Sequence, residues 1–242
     1  MPVPVKFRAQ HGIIVTLDAD SVEACKRTIE VTTSIHGVVG YKLGMTMVLR
    51  MGLAEAVRQL RSITDLPLLY DHQKAGPDVF DMAAKFAGLC AEAKVDGLIL
   101  FPTAGPRSVD AFVGETLKRG MLPLVGGDLP FPDYNVSGGG YVADDALDHI
   151  IARAIDVGAS HFVIPGNTPD KLRHHAAWVR EKLKAPVFVV PGIGPLGGKI
   201  GDLVRAAPGC SVLGVVGRAV YAANDPAAAA RALADEAQAA AG

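Results

Sequence analysis

Eight short apolar runs, each closed by turn residues, recur along the whole chain, and no other feature limits the possible fold as tightly. GIIVTLD (12–18), VVGYKLG (38–44), PLLYD (67–71) and DGLILFP (96–102) fill the first half. MLPLVGG (121–127), HFVIPG (161–166), PVFVVPG (186–192) and CSVLGVVG (210–217) fill the second. The runs are continuous rather than alternating, the pattern of strands covered on both faces. Between them, SVEACKRTIEVTTSI, MVLRMGLAEAVRQLRSI, DVFDMAAKFAGLCAEAK, DDALDHIIARAIDVG and PDKLRHHAAWVREKLK space their apolar residues by three and four and predict helices. Eight strand–helix units within 242 residues predict an α/β chain folded as a (β/α)8 TIM barrel. No linker or composition break divides the chain, so residues 1–242 are expected to form a single barrel domain.

Strand starts lie about 25 to 30 residues apart, except for a gap of about 40 between the fifth and sixth. That gap holds GDLPFPDYNVSGGGY, in which glycines bracket prolines and aromatics. A long loop over 127–142 is expected there, semi-rigid with flexible ends, as a candidate lid. From Asp225 the tail is Ala-rich, and Arg231, Asp235 and Glu236 recur at near-helical spacing, which predicts a terminal surface helix.

Charge excludes several partners. Lys plus Arg is 24 against Asp plus Glu 25, a net charge of −1, and no basic run is long enough to grip a polyanion. Nucleic acid is not an expected partner. No stretch reaches the roughly 18 uninterrupted apolar residues of a membrane span, and MPVPVKFRAQHG lacks a signal-peptide core, so no membrane association is expected either. Cys25, Cys90 and Cys210 fit neither a CxxC motif nor a disulfide framework and read as buried thiols of a reducing compartment, the cytoplasm. His36, His72, His161, His174 and His175 form neither HxH nor HxxxH, and His174–His175 are expected on a helix with exposed neighbours. No metal site is expected from that spacing.

In this fold the reacting groups come from the C-terminal ends of strands and the loops that follow. The first run ends at Asp18, the second carries Lys42, and the third ends at Asp71, followed by Lys74 and Asp78. A lysine inside VVGYKLG needs a carboxylate partner to offset its desolvation, and Asp71 or Asp18 is the expected one. A lysine held charged beside a carboxylate can stabilise a developing carbanion and donate its proton. The last quarter holds a second constellation. PGIGPLGGKIGD (191–202), with Gly192 and Gly194, follows the seventh strand, and VVGRAVYAANDP (215–226) places Gly217 and Arg218 after the eighth. Loops at these two places commonly form a phosphate site, to which Arg218 adds a bidentate contact.

With the LD of the first strand, the YKLG of the second, the acid–lysine–acid cluster of the third, the PGIG turn and the VVGRAVY segment in order, the chain resembles the orotidine 5′-phosphate decarboxylase family from Gly12 to about Ala230. The resemblance implies a (β/α)8 homodimer that needs no metal or organic cofactor and converts orotidine 5′-monophosphate to uridine 5′-monophosphate in pyrimidine synthesis. It implies that Asp18 hydrogen-bonds the ribose, Lys42 binds ribose and orients Asp71, and Asp71 sits beside the substrate carboxylate. Lys74 is then the proton donor at C6, Asp78 reaches across the dimer interface, and Gly217 with Arg218 holds the 5′-phosphate.

Three departures stand out. The family's Asp-x-Lys-x-x-Asp reads here Asp71-His-Gln-Lys74-Ala-Gly-Pro-Asp78, one residue longer in each interval, so Lys74 reaches the usual place only if the chain bulges or has left the strand. DLPFP (128–132) lacks the Ser or Thr expected to read the pyrimidine, leaving Ser137, backbone groups or Asp128. Leu196 stands where many members have Gln. The same barrel and a similar cluster occur in Mg²⁺-dependent sugar-phosphate lyases, one alternative. A phospholigand-binding barrel without turnover is another.

Overall fold

The computed structural model describes residues 6–72, 78–194 and 197–241. The first half runs β1 (His11–Thr16), α1 (Val22–Thr32), β2 (Val38–Leu43), α2 (Met45–Met51), α3 (Leu53–Arg61), β3 (Leu68–Tyr70), α4 (Ala83–Glu92), β4 (Gly97–Leu100) and α5 (Pro106–Lys118). It continues with β5 (Leu122–Val125), α6 (Ala146–Val157), β6 (His161–Val163), α7 (Pro169–Lys182), β7 (Val187–Pro191) and α8 (Ile200–Ala206). β8 (Ser211–Val216), α9 (Arg218–Tyr221) and α10 (Pro226–Ala239) complete it. Among the described residues, β1 to β8 pair in chain order and all in parallel, and β8 returns to β1 to close the barrel. The expected (β/α)8 barrel is the observed one.

Local chemistry explains the element ends. Ser21 caps α1 by accepting the Ala24 amide at 3.1 Å, and Asp225 caps α10 through Ala228 at 2.9 Å. Pro106, Pro169 and Pro226 occupy helix starts, where a missing N–H costs nothing. The stretch expected as one helix over 47–63 is two, because Gly52 adopts φ 79° and breaks it. α5, α8 and α9 lie outside the stretches expected to be helical.

Two apolar layers follow from strand alternation. Ile14, Val39, Leu69, Ile99, Leu124, Val163, Val189 and Leu213 fill the barrel interior, while Ile13, Tyr41, Leu68, Leu98, Phe162 and Phe188 face the helices. One irregularity matters for the site. Ile13 pairs with Val38 but Ile14 with Gly40, so a single step on β1 spans two on β2. This bulge puts Val39 and Gly40 on the same side and resets the alternation, so Thr16 and its partner Lys42 both turn into the barrel.

The connection from β5 to α6, where a semi-rigid loop is expected over 127–142, is held by its own hydrogen bonds. The Tyr134 hydroxyl donates to Gly127 O at 3.1 Å, the Val136 amide to Val142 O at 2.8 Å, and the Ser137 amide to Asp144 at 3.2 Å. A Cβ on Gly138 would lie 1.5 Å from Pro132 O, and one on Gly140 2.1 Å from Tyr134 O. These glycines allow backbone to pack on backbone, and the segment folds upon itself. α10 likewise does more than cover a surface: Ala230, Ala234 and Ala237 are buried, and Ala234 approaches so closely that a Cβ on Gly37 would stand 2.6 Å from its methyl.

Candidate active site

Three strand ends bring a charged array to the C-terminal rim. Lys42 Nζ lies 3.3 Å from Asp71 Oδ2 and 3.4 Å from Asp18 Oδ2. Asp71 is 3% exposed at its side chain and Lys42 10%, against 33% for Asp18, so the Lys42–Asp71 pair is buried and Asp18 is the array's solvent-facing member. Gly44 makes the approach possible, since a Cβ there would stand 2.1 Å from Asp18 Oδ1.

The second constellation adjoins the first because β8 pairs with β1. Gly217 ends β8, and Arg218 opens α9. A side chain on Gly217 would meet the Thr16 hydroxyl at 2.9 Å. Gly192 and Gly194 take φ values of 101° and 83°, open to glycine, in the turn after β7. The Gly194 amide is taken by Gly198 O at 3.0 Å, so Gly194 shapes the turn. Asp18, Lys42, Asp71, Gly192, Gly217 and Arg218 line one cavity of about 280 Å³. Their parent strands β7, β8, β1, β2 and β3 are neighbours in that order, so the glycine–arginine end and the carboxylate–lysine end form one continuous arc.

Lys74 and Leu196 lie outside the described residues. Asp78 is exposed at the rim, its carboxylate accepting the Val79 amide at 2.7 Å, and it does not line the cavity. Ser137 is engaged by Asp144 through amide and hydroxyl, away from the array. Asp128 is buried, accepts the Leu129 amide at 2.8 Å and is ion-paired with Lys171 of α7. Burial raises the thiol of Cys90 to about 12 and those of Cys25 and Cys210 above their usual value, so none is a ready nucleophile.

Thr16 and Tyr221 also line the cavity. The Thr16 hydroxyl is buried and has no hydrogen-bond partner among the described residues. Its signal in the sequence is position: it stands in the first apolar run on the face of Ile14, two residues before Asp18. Burial, with Asp18 adding to it, raises the affinity of the Tyr221 phenol for its proton.

A parallel barrel with a buried acid–lysine–acid array and a glycine–arginine turn on one arc of its rim defines a barrel enzyme. The model of the Orotidine 5′-phosphate decarboxylase / HUMPS family matches residues 12–233, and the chain belongs to that family. It is accordingly an enzyme of the carbon–carbon lyase class. The orotidine 5′-phosphate decarboxylase of Pyrococcus abyssi is 28% identical over 225 residues, 93% of this chain and 98% of that protein. That of Methanosarcina mazei is 27% identical over 198 residues, 82% and 83% of the two chains. The crystal structure of orotidine 5′-monophosphate decarboxylase from Methanocaldococcus jannaschii, complexed with the inhibitor BMP, superposes with a TM-score of 0.79 at 21% identity, covering 93% of this chain and 98% of that one. At that identity the superposition speaks for the fold.

Proposed function

We propose that the chain decarboxylates orotidine 5′-monophosphate to uridine 5′-monophosphate without a metal or organic cofactor. The observation that carries this reading is the buried Asp18–Lys42–Asp71 array sharing one cavity with Gly217 and Arg218, in a chain of this family. Arg218 and the glycine turns hold the 5′-phosphate, far along the arc from the reacting carbon. Asp18 and Lys42 take the ribose. Lys42 also holds Asp71 in place, and Asp71 crowds the substrate carboxylate, raising the ground state relative to a transition state in which the negative charge moves onto C6 as neutral carbon dioxide departs. Lys74 stabilises the carbanion at C6 and protonates it. Carbon dioxide is released, and Lys74 regains its proton from solvent, so each turnover takes up one proton.

The protein works in the cytoplasm as a homodimer, with Asp78 entering the partner's site. An exposed carboxylate at the rim and outside its own cavity supports that reading. Sedimentation velocity reads the dimer directly. The function is tested by loss of the ultraviolet absorbance of orotidine 5′-monophosphate, with and without chelator. Turnover in both arms is expected; turnover lost with chelator points to the Mg²⁺-dependent lyases, and binding without turnover to a ligand-binding barrel. Lys74→Ala is expected to abolish turnover, and an active Lys74→Ala enzyme rejects the assignment of the proton donor.

A further inference from the structure

Away from the barrel mouth, three ligating side chains converge between α6 and α7. Asp148 lies in the first turn of α6, and His174 and His175 are consecutive on α7. One Asp148 oxygen, Oδ1, stands 3.2 Å from His174 Nε2 and 3.2 Å from His175 Nδ1. The three donor atoms all lie within 4.8 Å of one another. A tetrahedral ion with bonds of about 2.0–2.2 Å sets its donors about 3.4 Å apart, so two of the three separations already suit one.

His175 supplies the independent sign. Its side chain is 6% exposed, and among the described residues its Nδ1 makes no hydrogen bond although Asp148 Oδ1 lies 3.2 Å away. A buried ring nitrogen set against a carboxylate oxygen with no shared proton is an unfavourable contact, and a cation between the two resolves it. Asp148 and His174 are 40% and 60% exposed at their side chains, which gives an ion an entry route and a place for water as fourth ligand.

We propose that Asp148, His174 and His175 form a binding site for one divalent transition-metal ion of the Zn²⁺ type, joining α6 to α7. Two imidazoles and a carboxylate suit Zn²⁺, Co²⁺ or Ni²⁺ and not the all-oxygen preference of Mg²⁺ or Ca²⁺. The site's position gives it a structural task. α6 begins where the connection from β5 ends, and one turn before His174 on α7, Lys171 grips Asp128 at that connection's start. An ion here ties both ends of the 126–145 segment to one helix pair. The inference stands apart from the decarboxylase reading and does not depend on it.

The test uses untagged, metal-free protein titrated with Zn²⁺ by calorimetry, alongside thermal unfolding and the visible spectrum of the Co²⁺ form. One ion per chain is expected, with Tm raised by roughly 5 °C or more at saturation. Co²⁺ should give the d–d bands of a four-coordinate site. His174→Ala and Asp148→Asn alter half-exposed side chains, so both are expected to fold as judged by circular dichroism, to lose at least tenfold in affinity and to lose the Co²⁺ bands. His149→Ala, on the same turn of α6, should leave binding unchanged. No binding to the unaltered protein, or equal binding by His174→Ala and Asp148→Asn, overturns the proposal.

Discussion

A single lysine shows how far one residue can be read. Lys42 sits in a run of apolar neighbours, and the cost of burying its charge alone demands a carboxylate; Asp18 and Asp71 both supply one. Thr16 carries no such demand, because a threonine in a strand is ordinary, and only the closed barrel shows that its hydroxyl faces a cavity with no partner among the described residues. Substrate is the partner we expect for it. Thr16→Val should lower kcat/KM about tenfold, the worth of roughly one hydrogen bond, with Tm unchanged or slightly raised. A stability loss with activity kept would assign the hydroxyl to the fold instead. Arg218→Ala should act differently, raising KM by two orders of magnitude or more, as loss of a charge-assisted phosphate contact does, while the protein stays folded. Asp148, His174 and His175 escaped the sequence because the third ligand belongs to another helix, 26 residues from His174. Spacing within one helix is blind to that.

Among the elements, strands were legible and their registers were not. Continuous apolar runs mark strands buried on both faces, and all eight appear where the runs predict them. The bulge at Val39–Gly40 leaves no mark in composition, yet it decides which face Lys42 occupies. Deleting Val39 removes the bulge and leaves Gly40 opposite Ile14 and Lys42 opposite Thr16, still turned into the barrel, so activity should survive while Tm falls with the loss of a buried side chain. Activity lost from a folded Val39-deleted protein would show that the bulge itself is needed. The 127–142 loop is a related case: glycine alone does not say whether it serves a hinge or a close contact, and Gly138 and Gly140 serve close backbone approach because of what lies opposite them.

For the whole molecule, we read the eight β/α units as one cooperative domain, so near- and far-ultraviolet circular dichroism should report a single coincident thermal transition. Acid should weaken it in a defined window. His161 titrates near 6.5 in the unfolded chain but burial lowers it to about 4 in the fold. Between those values the unfolded state binds the extra proton, so stability falls as pH drops from 6.5 toward 4 and recovers on return. A His161→Asn variant should show a shallower decline of Tm across that interval; an unchanged slope would place the acid sensitivity elsewhere, His175 first. The arc of the active site has a consequence for how the enzyme comes into being. It straddles the β8–β1 seam, where the last strand to be made meets the first. A nascent chain on the ribosome can therefore lay down seven strands, with Asp18, Lys42 and Asp71 already synthesised, and still have no substrate pocket. If the arc is the active site, activity arrives with the final strand, and a chain truncated before Gly217 is expected to be inert however well its earlier units have folded.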